Sequence, residues 1–341
     1  MPRKALGLLL ACWFVGTCPA EELLARPAAG ADLGRIGAAL AGPFVTVLRP
    51  DKDAPEWWAG APSVVRAEDG TFWMACRMRT GEGSRGLRGY EVRLLNSSDG
   101  ERFEVVKHLL REDVPLPGFE RSALLRDAAT GKWKLYLCGP WKDRPWCILK
   151  LDDAANPADF VAITAKPVIT PRAKTFERDL PPVEYKDPVI TFAEGAYHAY
   201  VIGYARQNER IYHFSSPDGE TWTPVGNPYE PLLPLGGWHD FFTRPASILP
   251  APAGYLFVYE GSKLSWHDPV YNIATGLAFT FDLHRLIDLT PEAPLAVSTT
   301  PNTNFATLRY SSWLTVNGET WIYAEAACAD ETHEIRLFKV K

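Results

Sequence analysis

Five segments of the chain share one form: an apolar strand, a glycine-centred turn, and a second strand rich in aromatic and β-branched residues. They begin at Pro62, Arg121, Asp187, Arg244 and Ser311, and their turn glycines, Gly70, Gly131, Gly195, Gly254 and Gly318, stand at intervals of 61, 64, 59 and 64 residues. A period of this length marks an array in which one supersecondary unit is copied. Each hairpin is followed by another strand and a second turn. Ser97-Ser98-Asp99-Gly100 and Ser215-Ser216-Pro217-Asp218-Gly219 are Asp-Gly turns between strands, and Asn156-Pro157-Ala158-Asp159-Phe160 holds the same place in the second unit. Four strands per unit, repeated radially, make a propeller blade. The spacing predicts an all-β fold, a five-bladed β-propeller with four-stranded blades over residues 42–341. The last unit has a single strand, Glu334 to Val340, after its hairpin. The N-terminal strand within Gly42 to Arg49 is therefore expected to close the last blade.

Residues 1–20 carry a basic start (Arg3, Lys4), an apolar run from Ala5 to Gly16 and the small-residue ending Cys18-Pro19-Ala20, the pattern of a signal peptide cut after Ala20. That run is too short to cross a bilayer and no other stretch approaches about 20 apolar residues, so no membrane span is expected. The mature chain is expected to be secreted or periplasmic, with a lipid anchor as the alternative because Cys12 and Cys18 faintly match lipoprotein cleavage sites. Residues 21–41, Ala-rich with room for a short helix, read as an exposed leader. Without Arg3 and Lys4 the chain has 34 Lys and Arg against 41 Asp and Glu, a net charge near −7 that argues against nucleic acid as a partner. Of the four remaining cysteines, Cys76, Cys138, Cys147 and Cys328, the middle two flank a loop that could bring them together as a disulfide; buried free thiols are the alternative. No Cys or His spacing suggests a metal, and no cofactor is expected.

In a propeller the innermost strands line the axis, so the residues just before them converge from distant parts of the sequence. Here these are Ala61, Glu120 and Arg121, Lys186 and Asp187, Arg244, and Tyr310, while the hairpin exits add Arg77, Arg79, Glu260 and Glu325. Lys186-Asp187-Pro188-Val189-Ile190 before its glycine turn, the Ser-x-Asp-Gly outer turns, Tyr259-Glu260-Gly261 and the stretch Tyr271 to Asp282 resemble the five-bladed enzymes of glycoside hydrolase families 43, 32 and 130. The resemblance covers residues 42–341 as architecture and implies a glycosidase or glycoside phosphorylase acting on a small or terminal sugar. Two departures stand out. Where family 43 usually has a catalytic Asp in the first blade this chain has Ala61-Pro62, and the Glu-Asp-Pro-Arg-like segment of family 130 is here Phe119-Glu120-Arg121-Ser122.

Glycoside cleavage needs one carboxylic acid to protonate the leaving oxygen and a second carboxylate to act on water or sugar. Asp187 is the best-placed carboxylate; Lys186, Arg121 and Arg244 beside it would keep it ionised, suiting a base. Glu260 is the preferred acid, with Glu120 and Asp240 competing for the partner role. Arg121, Lys186, Arg244 and His239 could instead hold an anion, either phosphate or the carboxylate of an acidic sugar. Trp58, Trp238, His239 and Asp240 offer aromatic faces and polar groups for a sugar at the funnel mouth. The competing expectation is a carbohydrate-binding propeller without catalysis.

Overall fold

The computed structural model describes residues 33–142, 144–171, 182–205, 208–300 and 304–341. The expected signal peptide and the first part of the leader lie outside them.

The described residues form one short α-helix, α1 (Leu33–Leu40), two single-turn 3-10 helices (Pro157–Asp159 and Ala162–Thr164) and twenty strands. After β1 (Val45–Leu48), unit one comprises β2 (Trp58–Arg66), β3 (Phe72–Arg79), β4 (Gly89–Ser97) and β5 (Glu104–Leu110). Unit two is β6 (Ala123–Arg126), β7 (Trp133–Pro140), β8 (Trp146–Lys150) and β9 (Lys166–Ile169). Unit three is β10 (Glu184–Ala193), β11 (Ala196–Ala205), β12 (Asn208–Ser216) and β13 (Thr223–Pro224). Unit four is β14 (Phe242–Ala251), β15 (Gly254–Ser262), β16 (Ala274–Thr280) and β17 (Ile287–Asp288). Unit five is β18 (Leu308–Val316), β19 (Glu319–Ala327) and β20 (His333–Val340), completed by β1, which pairs antiparallel with β20 through Val45 opposite Leu337. All five units are antiparallel meanders; parallel bridges join units five and one, Trp58 to His333, and units four and five, Ile273 to Thr307. The first strands touch in cyclic order, β2 to β6 to β10 to β14 to β18 and back to β2, so the five units close a ring.

The five repeat glycines all have positive φ, which a residue with a side chain seldom adopts. Glu194-Gly195 and Asn317-Gly318 have positive φ at both positions, as tight hairpin turns require. The Asp-Gly turns are closed by the carboxylate: Asp99 Oδ1 accepts the N–H groups of Glu101 and Arg102 at 2.8 and 2.9 Å, and Asp218 repeats this with Glu220 and Thr221. A third such turn lies at Thr280-Phe281-Asp282-Leu283, where Leu283 takes the left-handed conformation (φ 63°) in place of glycine.

Every junction in the ring carries a polar clasp. Tyr136 donates to the Gly219 carbonyl at 2.7 Å, Tyr200 to Leu283 at 2.5 Å and Tyr323 to Gly100 at 2.8 Å, each reaching the outer turn of the next unit. The hydroxyls of Ser63, Ser247 and Ser312 accept backbone N–H groups of Leu124, Trp313 and Val64 across the remaining junctions, and again between units five and one. At the matching inner-strand positions of units two and three stand Ala123 and Val189, and there the tyrosines do the clasping.

One expectation is corrected, and one pair of alternatives is decided. The described part of the leader is not wholly exposed: Gly34, Arg35 and Ala38 face solvent, but Ile36 and Leu40, one turn apart on α1, are buried against Leu249, Leu277 and Phe338 between units four and five. Cys138 and Cys147 are free thiols, because Cys147 sits opposite Gly139, one residue beyond Cys138. Their side chains therefore leave opposite faces of the sheet and enter separate cores.

Candidate active site

The inner strands do not run straight into the ring. In units one, three, four and five a bulge interrupts the pairing of the first strand with the second, between Gly60 and Ser63, Lys186 and Val189, Pro245 and Ser247, and Arg309 and Ser312. Ala61, Asp187 and Tyr310 occupy three of these bulges with φ of 52°, 50° and 51°. Left-handed geometry at a non-glycine residue costs on the order of 1–3 kcal/mol and persists only where surrounding contacts hold it, characteristically at functional sites.

A bulge frees backbone groups that buried structure must satisfy. Glu325, fully buried on β19, accepts the Ala61 N–H at 3.0 Å. Glu260, at the corresponding place on β15, accepts the Ser311 N–H at 3.1 Å. The Arg121 guanidinium crosses the axis and donates to the carbonyls of Pro245, Ala246 and Ser311 at 3.2, 2.7 and 3.2 Å. The Asp187 N–H donates to Cys138 Sγ at 3.3 Å.

Above this floor lies a cavity of about 280 Å³. Its carboxylates are Glu120, Asp187 and Glu209; its cations are Arg79, Arg85, Lys186, Arg244 and Arg309; Tyr271 and Tyr310 complete the wall. Asp187 accepts the Arg121 N–H on Oδ1 at 2.9 Å and the Tyr310 hydroxyl on Oδ2 at 3.0 Å. Burial, and next the charge of Glu120, raise the Asp187 carboxyl above its ordinary range. Glu120 is paired with Arg77, which also reaches Glu325 at 3.2 Å. Glu209 takes Lys186 on one oxygen at 2.8 Å and Arg244 on the other at 2.5 Å. Its burial would raise the pKa, but these two cations outweigh that and bring it down to about 2.

The two buried glutamates beneath the cavity are held differently. Glu325 receives Arg309 through two bonds at 2.9 and 2.7 Å, and His333 at 2.7 Å, in addition to Arg77. Those partners overcome its burial and drive its pKa well below the ordinary carboxylate range. Among the described residues Glu260 has no ion pair and its Oε2 has no hydrogen-bond partner, and burial lifts it to about 7.

Of the residues expected to converge on the axis, Asp187, Glu120, Lys186, Arg244, Arg79 and Tyr310 meet in this one cavity, whereas Arg121, Glu260, Trp58, Trp238, His239 and Asp240 do not line it. The Arg121 side chain is an axial strut facing the opposite end, and only its backbone N–H touches Asp187. Glu260 lies outside the cavity lining, behind the bulge of unit five. Trp58 is buried, stacked on His333 at 3.8 Å with Arg79 over its other side at 3.9 Å, so it offers no free face. Trp238 is buried because its indole N–H donates to the Thr290 carbonyl at 2.6 Å and its ring stacks on Tyr259; His239 faces Asp288 at 3.0 Å. Asp240 is exposed and accepts the Leu264 N–H at 2.7 Å. The loop before β14 folds back over the outer strand of its own unit, which removes all three from the axis. Glu209 and Arg309 complete the cavity and are absent from the expected set. Glu209 opens a third strand, a position outside the first-strand starts and second-strand exits that the repeat brings to the axis.

Among the described residues no group of three or more His, Cys, Asp and Glu side chains could hold a metal ion, and no helix is long and apolar enough to cross a membrane. No protein-family model matches the chain and no curated protein does. Solved structures do match it over most of both chains. A complex of BT0996 with RGII aligns at 16% identity and TM-score 0.69, covering 91% of this chain and 94% of that one. A structure from the glycoside hydrolase family 130, described for glycoside hydrolases that target β-1,2 mannosidic linkages in Candida mannan, aligns at 17% identity and TM-score 0.63, with coverages of 87% and 93%. The fold is that of the propeller glycosidases. The β-1,2-mannobiose phosphorylase of Listeria innocua, in complex with β-1,2-mannobiose, shares it at 12% identity and TM-score 0.62, over 86% of this chain and 94% of that one. At these identities the likeness shows the fold, and chemistry must be argued from the cavity.

Proposed function

We propose that the five units are the blades of a five-bladed propeller and that the chain is an exported glycosidase or glycoside phosphorylase, working on a terminal sugar in the axial cavity. The observation that carries this reading is the gathering of Glu120, Asp187 and Glu209 from two different units around one small, cation-rich cavity, with Asp187 pushed into it by a left-handed bulge. At about 280 Å³ the cavity is at or below the roughly 300–1,000 Å³ of pockets that enclose drug-sized ligands, which suits one sugar ring.

Carboxylates whose surroundings separate their pKa values divide the acid and base roles between them. Asp187, raised by burial and by Glu120, gives the proton to the leaving glycosidic oxygen. The Tyr310 hydroxyl can donate or accept, so it serves Asp187 in both protonation states. Glu120, held by Arg77 and more open than Asp187, acts on the water that attacks the sugar carbon; in a phosphorylase, phosphate attacks directly and needs no such base. Glu209 stays ionised and positions Lys186 and Arg244. Glu260, in this account, holds the bulge of unit five and takes no part in proton transfer.

The test is a screen of aryl glycosides and oligosaccharides, with and without inorganic phosphate, on the parent and on Asp187→Asn. Turnover by the parent that collapses in the variant supports the reading. Sugar binding by the parent with no turnover on any substrate would assign the fold to carbohydrate binding instead.

A further inference from the structure

The charges around the cavity do not cancel within the protein. Lys186 and Arg244 share Glu209, Arg309 is bound to Glu325, and the half-exposed Arg85 reaches Asp268 at 3.4 Å. Arg79 forms no ion pair among the described residues. Its Nη2 donates to the Tyr271 hydroxyl at a long 3.5 Å, and its buried Nε has no hydrogen-bond partner among the described residues. Arg79 is nonetheless only 3% exposed. A guanidinium is not neutralised at any ordinary pH, so burying it without a counter-ion is costly. The π face of Trp58, 3.9 Å from the guanidinium carbon, offsets part of that cost, and Trp58 is itself fixed by His333 on its far side. The residue is thereby immobilised against the wall of the cavity with donors left over.

We propose that Arg79 is the specificity-determining contact of the cavity and binds an oxyanion there, the carboxylate of an acidic sugar or free phosphate. The proposal rests on the sugar-processing reading of the cavity and names what the substrate or its acceptor must carry. With the partners Glu325, Asp268 and Arg77 counted, six cations meet five carboxylates, and Arg79 is the cation that no carboxylate among the described residues holds. Its planar fork of N–H donors matches the two oxygens of a carboxylate or phosphate. Lys186 and Arg244 are committed to Glu209, so they shape the field around the anion while Arg79 makes the directional contact.

Direct binding tests this without turnover. Inorganic phosphate, D-glucuronate and D-galacturonate are titrated calorimetrically into the parent, Arg79→Gln and Arg79→Lys, with D-glucose and D-galactose as neutral controls and circular dichroism as the check on folding. At least one anion should bind the parent, weaken about tenfold or more in Arg79→Gln, as loss of a charge-assisted pair implies, and weaken less in Arg79→Lys; the neutral sugars should not distinguish the proteins. A response to phosphate alone assigns the oxyanion to the acceptor, and a response to a uronate alone assigns it to the substrate. Failure of all three anions to bind the parent, or equal binding by Arg79→Gln, overturns the proposal. Should Arg79→Gln fail to fold, Arg79→Lys, which keeps the charge and loses the fork, decides the same question. Cleavage of neutral glycosides with no anion bound would sink this inference and leave the enzyme. Anion binding with no turnover on any substrate would sink the enzyme and leave the site.

Discussion

At one end of the axis three carboxylates and five cations crowd a cavity of about 280 Å³; at the other a cavity of about 310 Å³ is lined by Val65, Leu125, Ile190, Ile248 and Leu314 with Arg66 and Arg121 but no carboxylate, and its serine hydroxyls are already spent on backbone clasps. The same five strands build both ends, and Arg121 separates them. The hairpin end is the more regular: glycine turns stand in all five units, Asp-closed outer turns in units one, three and four, and tyrosine clasps in units two, three and five. The bulged end carries left-handed residues in units one, three and five and buried ion pairs that differ from unit to unit. Repetition at one end supplies a scaffold, and departure from repetition at the other supplies a site.

The two ends should therefore respond unequally to substitution. The largest loss of stability is expected for Glu325→Ala, which strips Arg309, His333, Arg77 and the Ala61 N–H of a shared buried acceptor. Breaking such a network by removing one partner should cost about 3–5 kcal/mol in chemical denaturation; a loss near that of a single hydrogen bond would mean the bulged end is not held by this carboxylate.

Glu260 should show the opposite pH behaviour. Its folded pKa, raised to about 7, lies above the unfolded value near 4.5, so the protonated form is the stabilising one. Its contribution is complete below about pH 4.5 and is lost as pH rises through about 7, by up to about 3 kcal/mol. Denaturation midpoints of the parent against those of Glu260→Gln across this window should converge at low pH and separate above it, with the parent falling faster. Parallel curves would contradict the burial of an unpaired carboxyl. Glu325, lowered rather than raised, instead loses its contribution as pH falls.

The smallest effects belong to the hairpin end. Tyr200→Phe and Ser247→Ala each remove one clasp and should cost about 1 kcal/mol with turnover unchanged. A loss of turnover in Ser247→Ala without a matching loss of stability would break the division between the two ends.

The regular end is also the end that can be read from sequence. Glycine at five evenly spaced turns is dictated by backbone sterics, and the missing outer strand of the last unit points to β1 beside β20. The convergence of Glu120, Lys186, Asp187 and Arg244 follows from the same period. What escapes depends on contacts that no local pattern encodes. The turn at Asp282 is disguised by Leu283, which takes a conformation that normally marks glycine. Trp58 and Trp238 look like sugar platforms in the sequence, yet each is buried by stacking and by an indole N–H bonded to a backbone carbonyl. Glu209 acquires meaning only once its third strand is seen to reach the cavity and share Lys186 and Arg244, and Arg309, one residue before Tyr310, only once its side chain is seen to reach Glu325.

Asp187 offers the most direct measurement. Asp187→Asn keeps the shape of the side chain and removes the proton it is proposed to give, so turnover on whichever glycoside the parent cleaves should fall about 10²–10⁴-fold, with circular dichroism and the denaturation midpoint close to the parent's. Turnover at the parental rate in a folded Asp187→Asn protein would contradict the proposed chemistry and remove the cavity end from it.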